Sequence, residues 1–170
     1  MLSTKVENFI TQEEVAIFNT YTWEKIRRSE RHIVDYKGDL QAYIYEGDLG
    51  VCYDIALNDI VAGVYGATCK QKIEKLANKQ VELVATFYRI YGPNSYLEKH
   101  VDRENYDYTA TINISNNPID CRWPIYTDDA EIFLNPGDAF VCQGNQVPHW
   151  REEFHGQWST QLMLHYKAHE

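Results

Sequence analysis

Basic residues are scarce in this 170-residue chain, where 16 Lys and Arg stand against 25 Asp and Glu for a formal net charge of −9. That balance removes the attraction on which nonspecific binding to nucleic acid or to an anionic membrane depends, so neither partner is expected. Lys70, Lys72 and Lys75 come nearest to a basic patch, and they read as the solvated face of a helix. The four cysteines, Cys52, Cys69, Cys121 and Cys142, show no CxxC or other zinc-like spacing. With no secretory signal in view, they are expected to stay reduced in the cytoplasm. No segment approaches the ~20 apolar residues of a membrane span. Linkers rich in Pro, Gly or Ser, internal repeats and low-complexity tracts are also missing, which favours one domain over residues 1–170. There is no G-x-S-x-G elbow, no phosphate-binding P-loop and no G-x-G-x-x-G fingerprint. No cysteine has the neighbouring charges that would make it a nucleophile.

What the chain does have is aromatic and apolar mass. Hydrophobic residues make up 44% of it, and aromatics 14%, carried by 13 Tyr, 6 Phe and 4 Trp. Such a composition suits a sheet-dominated protein or an aromatic-lined pocket. Thr11 and Glu14 form a capping-box pattern ahead of a helix whose apolar positions are Val15, Phe18, Tyr21 and Trp23. A second helix is expected over 55–76, weakened in its middle by Gly63 and Gly66. Between the two, 41–45 reads as a strand or an extended loop. After residue 80 the texture changes to short segments rich in β-branched and aromatic residues: 81–91, 106–115, 123–127, 131–134, 138–142, 147–154 and 157–167. Gly92-Pro93-Asn94, Asn116-Asn117-Pro118, Asn135-Pro136-Gly137 and Gly144-Asn145 punctuate them. The expected fold is mostly β, a double-stranded β-helix (jelly roll) over about 81–167, with the helices of about 1–80 packed on one face.

His100-Val101-Asp102 places a histidine and a carboxylate on the same side of an extended backbone. His149, far downstream, completes the set if the chain folds back beside them. Two histidines and one carboxylate form the facial triad that leaves open positions on non-haem Fe(II). The HxD tripeptide by itself reads more readily as a surface histidine beside a solvated aspartate. Its context tilts that balance.

Tyr91-Gly92-Pro93-Asn94-Ser95-Tyr96-Leu97-Glu98-Lys99-His100-Val101-Asp102 resembles the segment leading into the metal ligands of prolyl-4-hydroxylase-like 2-oxoglutarate/Fe(II) dioxygenases. Asn135-Pro136-Gly137-Asp138-Ala139-Phe140 resembles the turn and strand that precede the distal histidine in that superfamily. His149-Trp150-Arg151-Glu152 and Leu164-His165-Tyr166 resemble a compact bacterial and phage subgroup with an HWRE-type motif. The resemblance covers roughly 80–167. It implies that His100, Asp102 and His149 bind Fe(II), that 2-oxoglutarate chelates the metal and that O₂ takes the remaining site. It further implies an oxygenase, a hydroxylase that releases succinate and CO₂. The protein's share of that chemistry is to hold the open site and shield it.

The pattern departs in one place. The superfamily carries an Arg or Lys about ten residues beyond the distal histidine, to pair with the far carboxylate of 2-oxoglutarate. Here His155-Gly156-Gln157-Trp158-Ser159-Thr160-Gln161 offers none. Arg151 is the expected substitute, because strand alternation puts it on the same face as His149, roughly 7 Å away. Its other reading is a surface ion pair with Glu152 or Glu153. Arg89 and Lys167 are weaker candidates for the same role. Tyr91 occupies the position of a cosubstrate-contacting tyrosine, with core packing as its alternative. Thr111 and Asn113 share a face that could line the barrel. Gln161, Met163 and His165 share a face of the last strand, with Leu162 and Leu164 turned towards the helices. His165 reads as a hydrogen-bonded core histidine and not as a ligand. Arg103 is the candidate substrate contact at the mouth, against a solvated default. Trp123-Pro124 and the loop after Asp102 could shape the pocket. His155 and His169 receive no role.

The expected function is therefore a 2-oxoglutarate- and Fe(II)-dependent oxygenase acting on an amino acid, a peptidyl side chain or a small metabolite. Two alternatives stay open: a jelly-roll binding protein without turnover, and a cupin-like metalloprotein that does not use 2-oxoglutarate.

Overall fold

A computed structural model describes residues 2–29, 43–47, 50–57 and 59–169. The chain begins with β1 (Ser3–Val6) and α1 (Gln12–Ser29), followed by β2 (Tyr43–Gly47), β3 (Gly50–Leu57) and α2 (Ile60–Ala77). Eight strands then follow: β4 (Val81–Tyr91), β5 (Leu97–His100), β6 (Tyr108–Asn117), β7 (Ile125–Thr127), β8 (Glu131–Ile132), β9 (Ala139–Cys142), β10 (His149–Arg151) and β11 (Trp158–Ala168). They form a seven-stranded sheet ordered β1-β9-β6-β11-β4-β3-β2 and a four-stranded sheet ordered β5-β10-β7-β8. The pairings are antiparallel. Ile125 of the small sheet packs with Phe140 and Cys142 of the large one, so the two sheets face each other as the expected jelly roll.

Residue alternation decides what each face of the large sheet meets. Tyr88 and Ile90 of β4, Ala110, Ile112 and Ile114 of β6, Ala139 and Val141 of β9, and Leu162, Leu164 and Tyr166 of β11 share one core with Val15 and Phe18 of α1 and Cys69 and Ile73 of α2. Leu162 and Leu164 are wholly buried there, each contributing roughly 1.5–3 kcal/mol of transfer free energy. The leucines of β11 thus meet the helices, as the sequence indicates. The opposite face of the same strands turns polar groups towards the small sheet.

The capping box forms as expected, with Glu14 N donating to Thr11 Oγ1 and Thr11 N to Glu14 Oε2. Of the four apolar positions assigned to α1, Trp23 is the most open, and it meets Trp158 edge-on at 5.3 Å. The second helix starts later than the sequence reading, at Ile60 and not at 55. Asp59 caps it, its Oδ1 accepting from Val61 N and Ala62 N. Residues 55–57 belong to β3, which pairs with β4 from Cys52↔Tyr91 to Leu57↔Phe87. Val51, Tyr53, Ile55 and Leu57 alternate with the period of a strand, and that signal was available in the sequence. Of the 41–45 segment, Tyr43–Tyr45 lie in β2, and residues 41 and 42 fall outside the described residues.

Gly66 proves to be a contact rather than a weakness. A Cβ there would lie 2.8 Å from the Leu83 side chain, and Tyr166 OH donates to Gly66 O at 2.7 Å. Besides β3, two short strands escaped the sequence reading. β1 pairs with β9, and β5 pairs with β10, because short strands carry too few residues to show a period. In the Asn135-Pro136-Gly137-Asp138 turn, Gly137 has φ +95° and Asp138 accepts from both Asn135 N and Asn8 N. That turn therefore anchors the N-terminal segment as well as starting β9.

Candidate metal centre

His149 begins β10 and stands opposite His100 at the end of β5, in register across the small sheet. Their rings lie 4.4 Å apart, centroid to centroid. Asp102 follows two residues after His100, and its N–H donates to Gly144 O at 2.8 Å, which turns the chain so that the carboxylate faces both histidines. Asp102 Oδ1 is 3.8 Å from His100 Nε2 and 3.9 Å from His149 Nε2. One ligand atom from each residue falls within 4.8 Å of the others, a separation suited to one ion.

The donor chemistry fits a divalent metal. His100 Nδ1 is 2.8 Å from Glu98 O, and His149 Nδ1 is 2.9 Å from Val147 O. A carbonyl only accepts, so each Nδ1 carries the proton and each Nε2 presents a lone pair towards Asp102. Burial holds the His149 imidazole below its ordinary pKa, which keeps it neutral and able to ligate. Asp102 Oδ2 accepts from Thr109 Oγ1 at 2.6 Å, leaving Oδ1 for the centre. Thr109 spends its only proton on that bond, so it accepts from His165 Nδ1 at 2.9 Å. His165 is thus the hydrogen-bonded core histidine expected, stacked on Tyr106 at 4.2 Å. Gly144 makes the approach sterically possible: a Cβ there would stand 2.2 Å from Asp102 Oδ2 and 2.5 Å from Thr109 Oγ1.

The triad opens into a cavity of about 230 Å³ between the sheets. Tyr91, Arg103, Thr111, Arg151 and Gln161 all line it, together with Arg89, Met163 and His165. Asn113 does not reach it. It accepts from Gln161 Nε2 at 3.0 Å and so holds that amide in place. Lys167 points to solvent and lies away from the cavity.

Arg151 is not the surface residue its alternative reading required; it is 5% exposed. Its guanidinium donates to Trp123 O and to Gln161 Oε1, and lies 4.4 Å over the Trp123 ring. Trp123 in turn donates to Glu152 O, which fixes the ring beneath the cation. Among the described residues no carboxylate pairs with Arg151. Burial lowers its pKa to about 10, so it remains charged at neutral pH. A buried cation without a counter-charge costs several kcal/mol. The cation–π contact, about 2 kcal/mol or more when desolvated, and the two hydrogen bonds offset part of that, but none of them supplies a negative charge. The remaining demand is for an anion inside the cavity.

Thr109 and Gly144 are site residues that sequence reasoning missed. Their roles arise from β6 and the β9–β10 turn meeting beside Asp102, and no local pattern marks that meeting. Cys69, Cys121 and Cys142 carry free thiols and take no part in the His-Asp-His group.

No family model and no curated protein matches the chain. Solved structures do. The Pseudomonas putida prolyl-4-hydroxylase is 13% identical, covers 99% of this chain and 93% of its own, and superposes with a TM-score of 0.69. The viral collagen prolyl hydroxylase of Paramecium Bursaria Chlorella virus-1, in complex with 2-oxoglutarate, is 7% identical with coverages of 99% and 97% and a TM-score of 0.67. HygX from Streptomyces hygroscopicus, with nickel, 2-oxoglutarate and hygromycin B bound, is 10% identical with coverages of 98% and 82% and a TM-score of 0.67. The chain shares the fold of these three proteins along nearly its whole length. Among the described residues, no helix is long and apolar enough to cross a membrane.

Proposed function

We propose that this chain is a 2-oxoglutarate- and Fe(II)-dependent oxygenase that hydroxylates an organic substrate and releases succinate and CO₂. The observation that carries the reading is the buried, unpaired Arg151 in the same cavity as the His-Asp-His group. His100 Nε2, His149 Nε2 and Asp102 Oδ1 would hold the iron, and Arg151 would bind the far carboxylate of 2-oxoglutarate. Bound there, the iron and 2-oxoglutarate supply activation of O₂ coupled to oxidative decarboxylation.

The chain's own residues do the rest. Gln161 accepts from Arg151 and is itself held by Asn113 and Ser159, so the guanidinium is aimed before any ligand arrives. Tyr91 and Thr111 complete the wall around the cosubstrate, and Arg103 stands at the mouth as the substrate contact. Leu97, Ile125 and Met163 are apolar parts of the same wall and limit the entry of water.

Arg151 also weighs against the two alternatives. A centre without 2-oxoglutarate would leave its charge buried and unanswered. The case for a protein that binds without turnover rested on the missing downstream Arg or Lys, and Arg151 fills that need from another place. One structure of this fold carries the small organic ligand hygromycin B, which supports a small-molecule substrate. The free thiols of Cys69, Cys121 and Cys142 favour a reducing compartment, the cytoplasm, with residues 1–170 acting as one oxygenase domain.

Anaerobic titration of the metal-free protein tests the reading. Fe(II) and 2-oxoglutarate together should develop a weak visible metal-to-ligand charge-transfer band, and its absence would count against the cosubstrate. In Arg151→Ala, 2-oxoglutarate affinity should fall roughly tenfold or more while Fe(II) stays bound. Unchanged affinity would remove Arg151 from the role.

A further inference from the structure

With 2-oxoglutarate placed between the His-Asp-His group and Arg151, as proposed above, the cavity keeps a second end. Gln161 of β11 lies near Arg151, whereas His165, four residues further along the same face, lies roughly 13 Å away along the strand. Around His165 the wall becomes aromatic. Its ring stacks on Tyr106 at 4.2 Å and meets Phe87 edge-on at 5.2 Å. A guanidinium lies over each outer ring: Arg103 over Tyr106 at 5.9 Å and Arg89 over Phe87 at 5.4 Å.

The charge on this wall runs against the molecule. The chain has a net charge of −9, yet the cavity lining holds three arginines and a single carboxylate, Asp102. On the function proposed above, a divalent metal, Asp102, Arg151 and the 2-oxoglutarate dianion cancel one another. Arg103 stands outside that balance and has no ion-pair partner among the described residues. Four basic side chains elsewhere do have one, in Lys5–Asp138, Arg27–Glu24, Lys70–Glu74 and Lys99–Asp128, but none of those lines the cavity. A guanidinium held over an aromatic ring keeps its N–H edge available, and that edge matches a carboxylate or phosphate.

We propose that the primary substrate is a small organic anion, a carboxylate or phosphate monoester with a flat apolar body. Its anionic group binds Arg103. Its body lies on the ring cluster of Phe87, Tyr106 and His165, which places the body beside the metal at the Asp102 side. The inference rests on the proposed oxygenase reading for the word substrate, but the anion site itself does not depend on it.

Calorimetric titration with 3-phenylpropionate, phenyl phosphate and the neutral 3-phenylpropanamide tests this. It is run on protein saturated anaerobically with Fe(II) and 2-oxoglutarate, and repeated without either. At least one acid should bind roughly tenfold or more tighter than the amide, and which one binds tighter separates carboxylate from phosphate recognition. Arg103→Gln should abolish that preference, and Arg103→Lys should retain part of it. Arg103 is exposed, so both variants keep the fold. Equal binding of acid and amide overturns the proposal, as does an acid affinity indifferent to Arg103→Gln. Acid binding that vanishes on saturation with 2-oxoglutarate would place the anion at Arg151, overturning this inference and leaving the oxygenase reading intact. Failure of 2-oxoglutarate to bind, with acid binding still dependent on Arg103, would reject the oxygenase reading and keep the anion site.

Discussion

Thr109 serves two neighbours with one hydroxyl. It donates to Asp102 Oδ2 and accepts from His165 Nδ1, and the missing Cβ of Gly144 is what lets the groups come together. The carboxylate is therefore oriented before a metal arrives. Thr109→Val keeps the shape and removes the donor. Partners of this kind are worth about 10–100-fold in metal affinity. Fe(II) binding, measured by competition with a chelator, should weaken by about that factor, and Thr109→Ser should restore most of it. An unchanged Fe(II) affinity in the valine variant would show that Asp102 is held by its backbone bond to Gly144 alone. Thr109 gives no sign of this in the sequence, where it is one of two threonines in a strand. Asp102 and His100 are visible there because their types and spacing carry the chemistry themselves.

Among the elements, α2 depends most on a single side chain. Asp59 caps its first turn through Oδ1 and accepts from Tyr21 OH through Oδ2 at 2.7 Å, tying α2 to α1. Loss of the cap costs about 1 kcal/mol. Loss of a hydrogen bond to a charged acceptor costs about 1.5–3 kcal/mol more. Asp59→Ala should therefore lower unfolding free energy by roughly 2–4 kcal/mol in urea titrations, and Asp59→Asn by less. A change under about 0.5 kcal/mol would mean that the sheet, and not the cap, fixes where the helix starts. The expected start at 55 came from treating Ile55–Leu57 as helix when their alternation belongs to β3. β11 shows the opposite case. Leu162 and Leu164 against Gln161, Met163 and His165 is a pattern of period two that the structure follows residue by residue.

At the scale of the whole molecule, the buried imidazole of His165 makes stability depend on pH. Burial lowers its pKa to about 4, with the Asp102 carboxylate opposing and Arg89, His149 and Arg103 adding to the fall. In the unfolded chain the group titrates near 6.5. As pH falls, the unfolded state takes up the proton first. The stabilisation is thus complete above about 6.5 and is lost progressively as pH approaches 4. At roughly 1.4 kcal/mol per unit, the loss is on the order of 3 kcal/mol. Urea midpoints of metal-free protein should drop over that window, and the His165 ring resonances should still report a neutral imidazole at pH 5. A His165 that titrates near 6.5 in the folded protein would contradict the buried geometry.

What the sequence by itself determined is what short-range chemistry can encode. Alternation, turn residues and capping pairs specify a β-rich chain with a helical N-terminal part, and the HxD and distal histidine carry a metal's preferences in their own atoms. Tertiary structure alone decided three things. It removed the surface reading of Arg151, because an arginine next to two glutamates looks solvated until β10 is placed between β5 and β7 and its side chain is turned inward over Trp123. It recruited Thr109 and Gly144, which become site residues only where β6 and the turn before β10 close on Asp102. It also gathered Arg89, Arg103 and Arg151 around one cavity in an acidic protein. Net charge is a sum over the chain, whereas the field in a cavity depends on which few side chains surround it, and that selection is made by the packing of the two sheets.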